Sequence, residues 1–433
     1  MTERAAPHRS DRLNDHSSSN ALRAANSLLT FLFIMSLLTV IVPRAGADLV
    51  RSTCRGVRVS PDRNVQALID AKPRGTTFCF AKGLYRLSSG IWTGDKFPRL
   101  DLRAGAVIDG QNGGFTGING SDPPADRPGT TILGGVFQHF GNANAEGAAP
   151  VVVKRNGVVV GTEFRENFNV GLGVNGSNAR VSNVYTHHNG RYGLVVTEPC
   201  AGCSGPVGVI VEDSEIAFNN TRMLPTDYDA GGTKFSDGTG MIVRRNRVHD
   251  NYGSGLWWDG YNGNARVYGN VIYDNRNWGI MYELSLGGTR IHDNTLTGNG
   301  FDGSADWSNN VQLLVASSDG SVGGNRGIEI YQNRISGSAY PLAIITQGGR
   351  PATKKVSVHH NVLTLRALTS RVGAYDGGGT GEIFSEAANN RFDHNTYRVP
   401  DRGAYWAWDG QTLTWSQWRA LGHDQNGAVQ AIP

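Results

Sequence analysis

The sequence predicts an all-β fold wound as a solenoid, and three observations carry that expectation. A phrase of Asn, three residues, Gly and then Leu or Ile recurs at Asn167–Leu172, Asn189–Leu194, Asn251–Leu256 and Asn275–Ile280. The last two copies are 24 residues apart, and Asn299 stands another 24 on, a period that marks one supersecondary unit stacked on the next. Between the phrases lie short strand-like pieces, apolar at alternate positions and bounded by Asn and Gly. Glycine is also abundant, at 58 of 433 residues, without the three-residue period of collagen.

From the N-terminus, residues 1–47 read as a secretory signal. Residues 1–27 are polar and carry arginines, Leu28–Val42 is apolar, and Ala45-Gly46-Ala47 supplies the small-x-small cleavage pattern. The apolar run is short for a bilayer, so a cleaved segment and no stable membrane span in the mature form are expected, with cleavage near Ala47. Removing it takes away five arginines and three acids, lowering the net charge from +4 to about +2. A nearly neutral chain without a basic block gives no footprint for nucleic acid.

Residues 48–130 hold an N-terminal helical cap and the first coils. Ser60-Pro61 starts the helix as N-cap and first-turn proline, and Val65, Leu68 and Ile69 give it one apolar face. Strand-like pieces follow at Thr77–Phe80, Leu84–Leu87 and Ala106–Ile108. Residues 131–400 are the coils, clearest from 240 to 300, with insertions at 199–206, 220–230 and 300–308. Asn and Gly tolerate the left-handed backbone of sharp corners, and stacked Asn side chains can bond the backbone of neighbouring coils. Residues 401–433 form an aromatic C-terminal cap: Trp406, Trp408, Trp415 and Trp418 fall within 13 residues, and Leu413, Trp415, Trp418 and Leu421 suit one face of a short helix. Solenoids expose their core at both ends and need such caps.

The chain has four cysteines, all beyond the signal. Export makes disulfides expected. Cys54 and Cys79 flank the first helix and are placed to staple it. Cys200 and Cys203 form a lone CxxC without a second pair or a thioredoxin-like βαβ pattern, so a short loop disulfide is expected.

These coils resemble the right-handed parallel β-helix family, the architecture of pectate lyases and related polysaccharide-acting proteins, over roughly residues 50–400. The resemblance implies a parallel solenoid and a polysaccharide partner. It does not name a reaction, because the family also contains glycoside hydrolases, uronan epimerases and tailspikes. The arginine-rich signature of pectate lyases and the aspartate pairs of polygalacturonases are absent here.

The phrase also serves as a ruler. Equivalent residues of successive parallel coils stack about 4.8 Å apart, and alternation sends every second side chain outward. Matching Gly232 to Gly255 yields two outward columns. One runs Gly173, Val195, Lys234, Trp257, Met281; the other runs Asn175, Thr197, Ser236, Asp259, Glu283. Lys234, Asp259 and Glu283 are the candidate catalytic group. In a lyase Lys234 is the base that removes the proton α to a uronate carboxylate, while Asp259 and Glu283, joined by Asp227, hold calcium. In a retaining glycosidase Asp259 and Glu283 are acid/base and nucleophile. Without chemistry, the face binds glycan, with Trp257 as an exposed stacking platform and Asp229 and His249 as further substrate contacts. A solvated ladder of ion pairs is the plain structural alternative. His187, His249 and His292 lie near the corners of their coils, where solvent-facing or Asn-bonded residues are the plain expectation.

The sequence therefore leads to a secreted, monomeric carbohydrate-active protein. A polysaccharide lyase stands slightly ahead of a glycoside hydrolase, and a non-catalytic glycan-binding or cell-surface protein is the alternative. Calcium is the one cofactor suggested.

Overall fold

The computed structural model describes residues 54–432, except 146, 199–202, 227–228, 301–309, 324–325 and 338–339. Three long sheets run its length. The first has 13 strands, from Val57–Val59 to Arg391–Asp393; the second has 11, from Val152–Val153 to Gln411–Leu413; the third has 13, from Gly83–Arg86 to Ala428–Ala431. From Thr131 onward the coils visit the first, third and second sheet in turn, as in Ile242–Arg244, Arg247–His249 and Leu256–Asp259; before it a separate parallel pair, Ile91–Trp92 and Ile118–Asn119, takes the place of the second sheet. Pairing within these sheets is parallel, except where Trp406–Trp408 meets Gln411–Leu413 at the end of the second. Inward side chains such as Val243, Val248, Leu256 and Trp258 form one continuous core.

Two asparagine ladders explain the repeat. In one, the backbone N–H and side-chain amide of Asn167 donate to Oδ1 of Asn189, and the relay continues through Asn219, Asn251, Asn275 and Asn299 to Gln312. The other runs from Asn246 through Asn270, Asn294, Asn333, Asn361 and Asn395 to Asp424. Each asparagine thus satisfies buried backbone groups at a corner. The left-handed backbone expected at the corners falls one residue earlier, on Glu166, His188, Phe218, Asp250 and Asp274 in the first ladder. The glycine of the phrase has a different cause. A Cβ on Gly171, Gly193, Gly232, Gly255 or Gly279 would lie 2.6–2.9 Å from the ladder amide of the next coil. The motif is an asparagine and the space for the following asparagine.

Asp424 terminates the second ladder. Its Oδ1 accepts both Asn395 donors, and its Oδ2 accepts from Tyr397 at 2.6 Å and Trp418 at 2.9 Å. Asp424→Ala strands these buried donors and is expected to cost about 3 kcal/mol, checked by denaturant unfolding; a loss below about 1 kcal/mol would mean that the ladder end closes by other means.

The first helix, α1, spans Val65–Asp70 and starts four residues later than expected: Asn64, not Ser60, is its N-cap, accepting from Ala67 N–H at 3.0 Å. Pro61 instead lies against Gly83, where a Cβ would meet its ring at 2.6 Å. Val65 and Ile69 of α1 are buried in the core. Helix α2, Trp415–Ala420, has a Thr414–Gln417 capping box and buries Trp418. Leu421 departs from its expected face: it ends the helix and is 52% exposed. Cys54 and Cys79 form a disulfide. Cys203 is also disulfide-bonded, while Cys200 lies outside the described residues.

Candidate functional site

Both outward columns on the second sheet hold. Val195 pairs with Lys234, Phe235 with Trp258, and Leu256-Trp-Trp-Asp259 with Ile280-Met-Tyr-Glu283. Lys234 therefore stands beside Trp257, and Asp259 beside Glu283. The Lys234 Nζ reaches diagonally to Asp259 Oδ2 at 2.6 Å and lies 3.3 Å from the centre of the Trp257 ring. A carboxylate and an aromatic face are the contacts a cation makes.

Trp257 is not the exposed platform expected from its outward direction. It is 2% exposed, and its indole N–H donates to Glu283 Oε2 at 3.0 Å. Trp278, Met281 and Leu314 join it in a second apolar cluster on this face. Alternation gives a side chain's direction, whereas what covers it depends on its neighbours along the column.

Glu283 Oε1 accepts from Gln347 at 2.6 Å, a residue two coils farther on that no local signal in the sequence marks. Burial pushes the Glu283 carboxyl above its usual value, and the nearby Asp259 charge adds to this against the Gln347 and Trp257 hydrogen bonds. Such a group binds its proton more tightly in the folded state. Its contribution is greatest at low pH and is lost as pH rises from the unfolded value near 4.5 through the folded one. Glu283→Gln is therefore expected to gain stability relative to wild type between pH ~4 and ~7. Thermal melts at both pH values check this, and an unchanged difference would refute it.

Beside Lys234 the face hollows into an open groove of about 370 Å³. Arg191, Tyr192, Asp229, Lys234 and Ser236 line one part of it, with Asn175 and Thr197 beside them and Gly147, Ala149, Val152 and Gly173 along the rest. Asp229 was expected here, and it pairs with the Arg191 guanidinium, whose Nε also donates to the Asp229 carbonyl at 3.2 Å. Asp259 borders the groove through Lys234, whereas Glu283 lies beyond it under Gln347. Burial, together with the Asp229 charge, raises the Tyr192 phenol far above its ordinary value and keeps it protonated. Arg191 and Tyr192 escaped the sequence reading because they occupy variable positions of the phrase Asn189-Gly-Arg-Tyr-Gly193. A charge inside the phrase, opposite an acid-bearing insertion, was their only signal.

His249 is elsewhere. It sits on the third sheet, 5% exposed, between Glu215 at 3.0 Å and Asp250 at 2.6 Å, and stacks on Tyr273. It is a packed strand residue and does not contact the groove. His187 and His292 likewise bond acids, Glu163 and Asp293, rather than corner asparagines.

Asp227 lies outside the described residues. Three of the four oxygens of Asp259 and Glu283 face N–H donors, from Lys234, Trp257 and Gln347. Calcium takes six to eight oxygen ligands, and no group of three or more His, Cys, Asp or Glu among the described residues is arranged to hold a metal.

Residues 149–319 match the family model described as the right handed beta helix region. Among solved structures, the A-module of the Azotobacter vinelandii mannuronan C-5 epimerase AlgE4 is similar at 15% identity, covering 88% of this chain and 96% of that one, with a TM-score of 0.50. XylC in complex with xylose is similar at 10% identity, covering 84% and 82%, with a TM-score of 0.55. A search of curated proteins finds no significant match. Repeat phrase, three parallel sheets and the match over residues 149–319 agree on the fold, a parallel β-helix of the right-handed type.

Proposed function

We propose that this protein is a secreted enzyme acting on an acidic polysaccharide, as a lyase, in the groove beside Lys234. The observation that carries this reading is the placement of two cations, Arg191 and Lys234, in the lining of one groove. The fold it shares with a mannuronan C-5 epimerase is compatible with such a substrate, but the groove is the argument. Export is supported by the Cys54–Cys79 disulfide. No helix of the described residues is long and apolar enough to cross a membrane. Helix α1 and the aromatic tail act as the caps of the solenoid.

In this reading the uronate carboxylate takes the place of Asp259 as partner of the Lys234 ammonium, with Arg191 as the second cation. Neutralising that carboxylate eases loss of the α-proton. Asp259, released from Lys234, accepts the proton. The electron pair forms the carbon–carbon double bond as the glycosidic C–O bond breaks, and the leaving oxygen takes a proton from water of the open groove. Lys234 thus becomes the charge rather than the base. Hydrolysis by the Asp259–Glu283 pair is less well supported, because both Glu283 oxygens already accept hydrogen bonds.

The test is incubation with polygalacturonate, alginate and xylan, following absorbance near ~230 nm for unsaturated uronate together with reducing ends. Unsaturated ends support the proposal. Reducing ends alone mean hydrolysis, inversion at the α-carbon seen by NMR means epimerisation, and binding without product means a glycan-binding protein.

A further inference from the structure

Trp92 lies far from Lys234 in sequence but on the same outward column. It pairs with Asn119. The next residue back, Ile118, bridges Val151, which sets Asn119 beside Val152. Val152 pairs with Gly173, Gly173 with Val195, and Val195 with Lys234. Five strand steps separate the two residues, about 24 Å along the solenoid axis.

Three features set this tryptophan apart. It is 54% exposed, whereas Trp257 on the same column is buried. Its backbone is clamped: Trp92 N–H donates to Gln66 Oε1 at 2.7 Å, and Gln66 Nε2 donates to the Trp92 carbonyl at 3.0 Å. Gln66 belongs to helix α1, so that helix fixes the ring's base. The lane between Trp92 and Lys234 carries only Asn119, Val152, Gly173 and Val195, and the last three line the groove itself. An exposed indole on a fixed backbone at the end of this lane matches the flat apolar face of a pyranose ring.

We infer that Trp92 is a remote sugar-stacking subsite, and that the polysaccharide lies along the solenoid axis from Trp92 to Lys234. This rests on the glycan reading of the groove and adds to it a direction and a minimum length. An extended chain of several sugars reaches both residues, whereas a trisaccharide held at Lys234 falls short of the indole.

The test compares wild type, Trp92→Ala and Trp92→Phe, using polygalacturonate and alginate and their trisaccharides, with binding read by calorimetry. Trp92→Ala is expected to weaken polymer binding roughly five- to tenfold, to leave trisaccharide binding unchanged, and to be largely rescued by Trp92→Phe. Equal polymer affinity in wild type and Trp92→Ala would overturn the inference, as would an equal loss on the trisaccharide. Wild-type protein that binds neither glycan would instead remove the reading on which it stands.

Discussion

Lys234→Met is expected to lower turnover of an acidic polysaccharide by at least about a hundredfold, the usual cost of removing one preorganised charge from a reacting centre. Lys234→Arg is expected to recover a large part of that loss. The pair of variants separates two roles. An arginine replaces a positive charge but cannot serve as a proton acceptor, since it stays protonated in proteins. Recovery therefore supports an ammonium that balances the substrate carboxylate, as its contacts with Asp259 and the Trp257 ring suggest. An arginine variant as inactive as the methionine one would return Lys234 to the role of base. Initial rates of unsaturated-product formation, with melting temperatures as a folding control, decide between them.

Gly255→Ala is expected to destabilise the fold by about 3 kcal/mol, the range of an overpacked core site. The added Cβ would stand 2.7 Å from the Gly279 carbonyl oxygen and 2.9 Å from the Asn275 amide. Neither is a flexible side-chain end: one is backbone and the other is held in the ladder, so two coils must move apart. The Gly255 backbone is not left-handed, so contact alone excludes the side chain. Gly147→Ala is the control, with nothing within 4 Å of the new Cβ and an expected change within about 0.5 kcal/mol. Denaturant unfolding of both variants measures the difference; similar values would mean that the coils yield easily.

The register was legible because the phrase has a single physical cause repeated in successive coils from Asn167 to Asn299. Even its interrupted copy could be aligned: Asn219 keeps its place in the ladder although residues 220–230 separate it from Gly232. That alignment placed Lys234 correctly. The occupants of the groove were less legible. Arg191 meets Asp229 only through the excursion of the 220–230 segment, a long-range closure that periodicity does not encode. Trp257 shows the complementary failure, its direction being right and its covering unforeseen. Trp92 lies before the phrase becomes regular, and its alignment emerges only through successive strand pairings.

The asparagine ladders have a sense. Each ladder asparagine donates its backbone N–H and one amide hydrogen to the coil that follows, while the same amide donates to a backbone carbonyl of the coil before, and the two relays close on Gln312 and Asp424. Each coil therefore carries donors that only a later part of the chain can accept. The ladders thus have a polarity: the N–H donors of each turn find their acceptor only on its successor, and Asp424 supplies the last one. Without Asp424 the Asn395 donors of the last coil would face no acceptor, leaving an open end able to pair with a further strand.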